Sequence, residues 1–275
     1  VKDIHSGAGS SSPLGLTNAN GTLFFQASDI EGAELWKSDG TAAGTVRVKD
    51  IRVGGLSSNP ANITAVNDGV FFTLDGNTLW TSDGTADGTV QIHSFRASSL
   101  TNVDGTLYFT NPSADQLWKS DGSVAGTVML ADFDGWASTT PISLVNVGGR
   151  LFFAANDSVH GFELWTSDGT ISGTMLVKDI HANNSGFPVK HLVNGDGTLY
   201  FVAEDSFGVE QLWSSDGTEA GTQIAWDPAA IPGRVFPENL AVVDGKLFLT
   251  ATGEFSGREL WVAELPPRGD YDRDG

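Results

Sequence analysis

The chain has 275 residues, 40% of them apolar, which is enough to bury a substantial core in one large domain or two ordinary ones. Its 34 acidic and 15 basic residues give a net charge of −19, which disfavours nucleic acid and anionic membrane surfaces and favours cationic partners and divalent metals. The absence of cysteine excludes disulfides, zinc–thiolate sites and a cysteine nucleophile, and no apolar run reaches the roughly 18 residues of a membrane-spanning helix.

One motif recurs along the chain and defines its repeat. Leu-Trp-x-Ser-Asp-Gly-Thr-x-x-Gly-Thr begins at Leu35, and a sixth, incomplete copy stops after Leu260-Trp261. The other copies begin at Leu79, Leu117, Leu164 and Leu212, with Ser123 replacing the first threonine in the third copy. The Leu-Trp pairs are 38 to 48 residues apart, which is typical of a four-stranded repeat unit.

Each repeat opens with a predicted hairpin. The first strand often follows a proline, which is tolerated where no ladder N–H is yet needed; these are Pro13, Pro60, Pro141, Pro188 and Pro237. A two-residue turn follows, and type I′ geometry is predicted because it needs positive φ at both positions. The turns are Asn20-Gly21, Asp68-Gly69, Asp104-Gly105, Gly148-Gly149, Asp196-Gly197 and Asp244-Gly245. The second strand is a continuous apolar run such as Leu23-Phe24-Phe25, which predicts burial on both faces.

The third strand carries the Leu-Trp pair and is joined to the fourth by Asp-Gly-Thr-x-x-Gly. We expect the aspartates of this turn to accept hydrogen bonds from the loop backbone rather than to bind a metal, and its glycines to take left-handed positions. These aspartates are Asp39, Asp83, Asp121, Asp168 and Asp216. The fourth strand is predicted over residues 46–51 in the first complete copy and 175–180 in the fourth.

Four-stranded sheets that repeat and are apolar on both faces predict an all-β fold, a six-bladed β-propeller over residues 1–265 with four antiparallel strands per blade. The sixth copy lacks its fourth strand. Val1-Lys2-Asp3-Ile4 matches residues 48–51 and 177–180, so the N-terminal strand 1–4 is predicted to complete the sixth blade and close the ring. Because the chain opens on a piece of the repeat, we expect a mature form or an excised fragment.

The repeat resembles the bacterial ELWxxDGT-repeat family, through ELWKSDGT, TLWTSDGT, QLWKSDGS, ELWTSDGT and QLWSSDGT. The resemblance covers residues 1–265. It implies a secreted or cell-surface module, often within a large multidomain protein with neighbouring domains. It implies no agreed activity and no catalytic residues.

Residues 266–275 read as a linker and a truncated calcium-loop-like tail. Asp270, Asp272 and Asp274 form the Asp-x-Asp-x-Asp-Gly head of a calcium loop, and the segment is similar to the opening of a dockerin-type calcium module. The bidentate glutamate expected six residues after the glycine is absent. Calcium is therefore the one cofactor that the sequence suggests, and we expect the tail to bind it more weakly than about 1 mM.

The connections between strands predict where a ligand binds. In a four-stranded meander the second-to-third and fourth-to-first connections share one end, and here they vary in length. Variable loops on a rigid scaffold tend to carry function, so we expect a glycan or protein ligand there, although the loops could simply connect the strands. The candidate residues are Asp29, Glu31, Asp75, Asn77, Asp157, His160, Asp205 and Glu254.

Catalysis is not favoured by this pattern. The loop acids recur at equivalent repeat positions, whereas paired carboxylates for glycoside hydrolysis form one asymmetric site. The five histidines have no ligand spacing, and no nucleophile elbow or phosphate loop is present. We expect a secreted, non-enzymatic binding or adhesion module. A carbohydrate-active hydrolase or lyase and a structural spacer of a large extracellular protein are the alternatives.

Overall fold

The computed structural model describes residues 2–75, 78–133, 140–181, 189–205, 208–225, 235–253 and 257–265. Within these ranges the chain forms strands β1 to β23 and no helix. The strands make six antiparallel sheets, numbered here in chain order, of which five have four strands and the sixth has three. The prediction of an all-β repeat with one sheet per copy is confirmed. Among the described residues, no helix is long and apolar enough to cross a membrane.

The chain divides into two compact units, and the first comprises Val1–Ser113 and Leu117–Met129. It holds sheets 1 and 2 and most of sheet 3. Sheet 1 contains β1 (Leu14–Ala19), β2 (Thr22–Asp29), β3 (Gly32–Ser38) and β4 (Val46–Arg47). Sheet 2 contains β5 (Pro60–Val66), β6 (Gly69–Leu74), β7 (Thr78–Ser82) and β8 (Val90–His93). Sheet 3 contains β9 (Ser98–Val103), β10 (Thr106–Asn111), β11 (Gln116–Ser120) and β12 (Val128–Asp132).

The second unit comprises Ala114–Gln116 and Leu130–Gly275 and holds the remaining sheets. Sheet 4 contains β13 (Ile142–Val147), β14 (Arg150–Asn156), β15 (Phe162–Ser167) and β16 (Met175–Lys178). Sheet 5 contains β17 (Lys190–Gly195), β18 (Thr198–Glu204), β19 (Glu210–Ser215) and β20 (Gln223–Ile224). Sheet 6 contains β21 (Val235–Val243), β22 (Lys246–Gly253) and β23 (Arg258–Glu264).

Within each unit, neighbouring sheets approach each other most closely along their first strands. These strands are β1, β5 and β9 in the first unit and β13, β17 and β21 in the second. The Thr17 hydroxyl donates to the Ile63 carbonyl at 3.0 Å, and the Asn194 amide donates to the Asn146 carbonyl at 3.1 Å. Each sheet is a simple meander, so its later strands follow outward in chain order.

The predicted type I′ hairpin turns are confirmed in five sheets, where both central residues have positive φ, as at Asn20 (45°) and Gly21 (86°). In sheet 2 the prediction was wrong by one residue. The turn there is Asn67-Asp68, with φ of 54° at Asn67, and Gly69 already pairs with Val66 as the first residue of β6. A Cβ on Gly69 would lie 2.6 Å from the Ser82 carbonyl oxygen, so close approach of the backbone is what requires glycine there.

Every first strand contains a bulge that the sequence did not predict. The pairing register shifts once in each first hairpin, for example between Leu14 and Thr17 opposite β2. The residue at the shift has a φ between 52° and 63° in all six sheets. These residues are Gly15, Asn62, Ser99, Ser143, His191 and Asn239. Such bulges increase the twist of the strand that carries them.

The fourth strands are shorter than predicted, since β4 ends at Arg47 and β16 at Lys178. The Val48 N–H still donates to the Leu35 carbonyl at 2.8 Å. Beyond it, the Ile51 N–H leaves the ladder and donates to the Glu34 carboxylate at 3.3 Å. The buried Glu34 side chain thus accepts a backbone donor that a longer ladder would have used.

The apolar runs bury both faces of the sheets, as predicted, because Phe24 and Phe25 are both buried although they point to opposite sides of β2. Sheet 6 departs from this pattern on one face. Leu260 is 69% exposed and Val262 is 57% exposed, whereas the equivalent leucines of the other five sheets are at most 3% exposed. Those leucines are Leu35, Leu79, Leu117, Leu164 and Leu212.

The Ser-Asp-Gly-Thr-x-x-Gly-Thr turn is a closed hydrogen-bond network. In sheet 2, Asp83 Oδ1 accepts the Thr85 N–H at 2.8 Å and the Thr85 hydroxyl at 2.7 Å. These two bonds lower the pKa of Asp83, and the equivalent bonds recur in the other four turns. The structural role predicted for these aspartates is confirmed.

The two glycines of this turn are required for different reasons. The first is left-handed, as predicted, with a φ of 85° at Gly84 in sheet 2. The second is not left-handed, which corrects the prediction. A Cβ on Gly88 would lie 2.1 Å from the Asp83 carboxylate, so this position has no room for a side chain.

Candidate binding surface

Two connections pack together at one end of sheets 1 and 2. They are the turn between β2 and β3 and the connection between β4 and β5. A Cβ on Gly32 of the turn would lie 3.0 Å from the Leu56 backbone. The Ala33 N–H donates to the Ser57 hydroxyl at 2.9 Å, and the Ser58 N–H donates to the Ala33 carbonyl at 2.9 Å. The two connections therefore form one ordered surface at the variable end.

Three aliphatic side chains project from these connections into solvent. Ile30 of the turn is 79% exposed, and Val53 and Leu56 of the longer connection are 80% and 62% exposed. We call these three residues the aliphatic patch. Because exposed apolar side chains on ordered backbone can form part of an interaction site, we take these two connections as the strongest candidate surface of the first unit.

Two arginines pair with the carboxylates of this surface. The Arg47 guanidinium pairs with Asp29 at 3.4 Å and also with Glu31, and Arg52 pairs with Asp75. Arg52 also donates to the Ser57 carbonyl at 3.3 Å. Three predicted ligand residues, Asp29, Glu31 and Asp75, are therefore brought to one surface, where each carboxylate has an arginine partner within the chain.

Glu34 lies buried below the same surface. Its carboxylate accepts the Ser58 hydroxyl at 2.6 Å, the Ser58 N–H at 3.1 Å and the Ile51 N–H at 3.3 Å. Burial raises the pKa of Glu34, and these hydrogen bonds oppose the rise. Sequence reasoning did not single out this residue. The sequence did contain one signal for it: Glu precedes Leu-Trp in the first, fourth and sixth copies but not in the other three.

A similar arrangement of an acidic loop and a buried glutamate occurs at the same end of sheet 4, in the second unit. Asp157 Oδ1 accepts the N–H groups of Val159 at 2.9 Å and His160 at 2.8 Å, and its Oδ2 contacts His160 Nδ1 at 2.7 Å. Glu163, the equivalent of Glu34, is 1% exposed and accepts the His181 N–H at 2.9 Å. Burial raises the pKa of Glu163 to about 7.

The remaining predicted site residues are dispersed. Asp205 accepts the Gln211 amide at 2.7 Å and the Val209 N–H at 3.0 Å. Its carboxylate therefore bonds to residues within and directly after its own loop. Pro188, Asn77, Glu254 and the tail residues Asp270, Asp272 and Asp274 lie outside the described residues. Within the described ranges, no group of three His, Asp or Glu side chains is arranged to hold a metal ion.

A shallow depression of about 310 Å³ lies beside β8, lined by Gln91, Ile92, His93, Ser94 and Val124. The His93 ring packs on Phe95, with ring centroids 3.7 Å apart, and its Nδ1 accepts the Ser94 N–H at 3.0 Å. Burial lowers the pKa of His93. The histidine is thus engaged in packing, which makes this depression a weaker candidate than the aliphatic patch.

Comparisons with known proteins bear on the fold alone. No family model matches the chain, and no curated protein matches it. Among solved structures, the chain is similar to the computationally designed Ika8 protein, with 12% sequence identity and a TM-score of 0.50. The match covers 91% of this chain and 71% of that one.

Proposed function

We propose that the six sheets are the blades of one six-bladed β-propeller and that residues 1–4 complete the sixth blade. The three-stranded sheet 6 and the exposed Leu260 and Val262 leave one edge and one face in need of a partner. A closed ring removes such edges, which is how propellers avoid unpaired strands.

The contacts of Lys2 support this closure. The lysine of Val-Lys-Asp-Ile reaches from one sheet to a threonine carbonyl of the next, from Lys49 to Thr89 and from Lys178 to Thr222, both at 2.8 Å. Lys2 makes the same bond to Thr45 of sheet 1 at 3.2 Å. Residues 2–4 thus lie beside sheet 1 in the position that the equivalent residues of one sheet take beside the next sheet.

The distribution of glutamate along the repeats gives independent support. Glu precedes Leu-Trp in the first, fourth and sixth copies, at Glu34, Glu163 and Glu259, whereas the other copies have Thr78, Gln116 and Gln211. Val-Lys-Asp-Ile follows the first and fourth copies, and its third occurrence opens the chain. Glu34 and Glu163 accept backbone N–H groups from the residues that end or follow this tetrapeptide. We infer that Glu259 does the same for residues 4–5.

We further propose that this protein is a non-enzymatic binding or adhesion module of a secreted or cell-surface protein. The observation that carries the proposal is the aliphatic patch on ordered backbone, whose loop carboxylates are paired with two arginines. Aliphatic side chains suit a protein ligand better than a glycan, because sugars stack their C–H faces on aromatic rings. With a net charge of −19, the partner we infer is a peptide segment with apolar anchors flanked by Lys or Arg.

Replacing Ile30 and Leu56 with Asp tests the binding surface. The wild type and the Ile30→Asp/Leu56→Asp variant are applied to an array of peptides with apolar centres and basic flanks, and to a glycan array. We expect the wild type to bind such peptides and the double variant to lose at least tenfold in affinity, because the apolar contact is lost.

The matched control is Val124→Asp. Val124 is 68% exposed but lies in the turn between β11 and β12, at the opposite end of its sheet, so this variant should keep full binding. Equal losses in both variants, or binding to glycans alone, would contradict the proposed surface. Turnover of a polysaccharide would favour the hydrolase or lyase alternative, and absence of binding would favour a spacer.

A further inference from the structure

The outer edge of sheet 2 is open. β8 is the last strand in the order β5-β6-β7-β8, and no described strand pairs with its other side. Alternate residues of such a strand direct their N–H and C=O groups away from the paired neighbour, where these groups are available to another extended chain. The sequence of β8 is Val-Gln-Ile-His, with no proline and no acidic residue, lysine or arginine.

The other fourth strands have the features by which natural proteins protect an edge, namely short length or charged side chains. β4 and β20 are two residues long. β12 contains Asp132, and β16 contains Lys178. Among the fourth strands that the structure describes, β8 therefore combines a length of four residues with the absence of such a charge.

The depression described above lies beside this open edge. It has a volume of about 310 Å³, and its lining joins residues 91–94 to Val124 of the β11–β12 turn in the neighbouring sheet 3. Val90 at the start of β8 is 41% exposed, and Val124 is 68% exposed. An open strand edge supplies backbone hydrogen bonds to an extended peptide, and a depression beside that edge selects one of its side chains.

Opposite charges flank β8 along the chain. Asp87 precedes the strand in the β7–β8 turn, Arg96 follows it, and both are exposed. Neither forms an ion pair with another residue in the described part of the chain. A partner strand with a basic residue at one end and an acidic residue at the other would complement these two charges.

We propose that the open edge of β8 binds an extended peptide segment of a partner protein, which adds to sheet 2 as a fifth strand and places an apolar side chain in the depression beside Val124. The segment runs antiparallel to β8, the more stable pairing. Its acidic start therefore lies near Arg96 and its basic end near Asp87. This surface is separate from the aliphatic patch, and the proposal does not depend on that patch.

An array of acetylated and amidated heptapeptides tests this proposal. Each peptide begins with Glu, ends with Lys and alternates threonine with alanine, valine or leucine between them, so it is longer than the roughly 13 Å of β8. We expect the wild type to select peptides that have valine or leucine at one inner position. Val124→Asp should weaken their binding at least tenfold, because a carboxylate replaces an apolar wall of the depression.

The Ile30→Asp/Leu56→Asp variant is the matched control, and it should bind the selected heptapeptides as the wild type does. N-methylation of the peptides separates strand addition from apolar contact alone. Alternate N–H groups of an added strand donate to its neighbour. Methylating one alternate set should therefore abolish binding, whereas methylating the other set should leave binding nearly unchanged.

Three results would overturn the proposal. The first is that the wild type selects no peptide of this array, and the second is that both N-methylated sets bind equally well. The third is that Ile30→Asp/Leu56→Asp loses binding while Val124→Asp keeps it, which would assign the peptides to the aliphatic patch.

Discussion

Removal of residues 1–4 is expected to lower the thermal unfolding midpoint by about 5 to 10 °C, corresponding to about 2 to 4 kcal/mol. Ile4 packs against Phe25, Ala27 and Trp36 of sheet 1, and the Lys2 ammonium lies 5.7 Å from the centre of the Trp36 ring. Their loss exposes this apolar face and removes a cation–π contact. Circular dichroism or scanning calorimetry measures the change.

The control for this deletion is Asp3→Asn, because the Asp3 side chain is exposed and its charge is not needed for the packing of Ile4. That variant should melt within about 1 °C of the wild type. An unchanged midpoint after the deletion would show that the N-terminal segment contributes nothing to the fold.

Glu34→Ala is expected to destabilise the protein by about 2 to 4 kcal/mol, because it leaves buried donors without an acceptor. The Ser58 hydroxyl, the Ser58 N–H and the Ile51 N–H all donate to this carboxylate. Because these donors fix both ends of the connection that carries Val53 and Leu56, the variant should also disorder the aliphatic patch. Urea unfolding measures the first effect, and hydrogen exchange of residues 51–58 measures the second.

Glu34→Gln separates the loss of the acceptor from the loss of charge. The glutamine carbonyl retains an acceptor, so this variant should lose less than about half of what Glu34→Ala loses. If both variants unfold at the same urea concentration as the wild type, Glu34 does not organise the connection.

Much of the fold could be predicted because its determinants are local. The apolar run at Phe24-Phe25 predicted a strand buried on both faces, and the Asp83-Gly84 pair predicted a tight turn with positive φ; both are present. The bulges were missed because the residues that carry them are not specific signals. Ser99 and His191 occupy left-handed positions at which sequence reasoning expects Gly or Asn.

The candidate surface was predicted only in part, because its contacts join residues that are distant in sequence. The loop acids Asp29 and Asp75 were recognised from their place in the repeat. Their partners Arg47 and Arg52 were not, since nothing local links an arginine to a carboxylate 18 or 23 residues away. The burial of Glu34 was also missed, because a charged residue in a strand is usually exposed and its Ser58 partner is 24 residues away.

A disulfide between cysteines introduced at Lys2 and Leu260 tests the closed ring most directly. Leu164 and Lys178 are paired across β15 and β16, and they are the repeat equivalents of Leu260 and Lys2. The chain has no cysteine of its own, so any disulfide that forms must involve the two engineered cysteines. We predict that Lys2→Cys/Leu260→Cys forms an intramolecular disulfide in the monomer as readily as the reference pair Leu164→Cys/Lys178→Cys. A reference pair that oxidises while the Lys2/Leu260 pair stays reduced, or links only separate copies, would contradict the closed six-bladed ring.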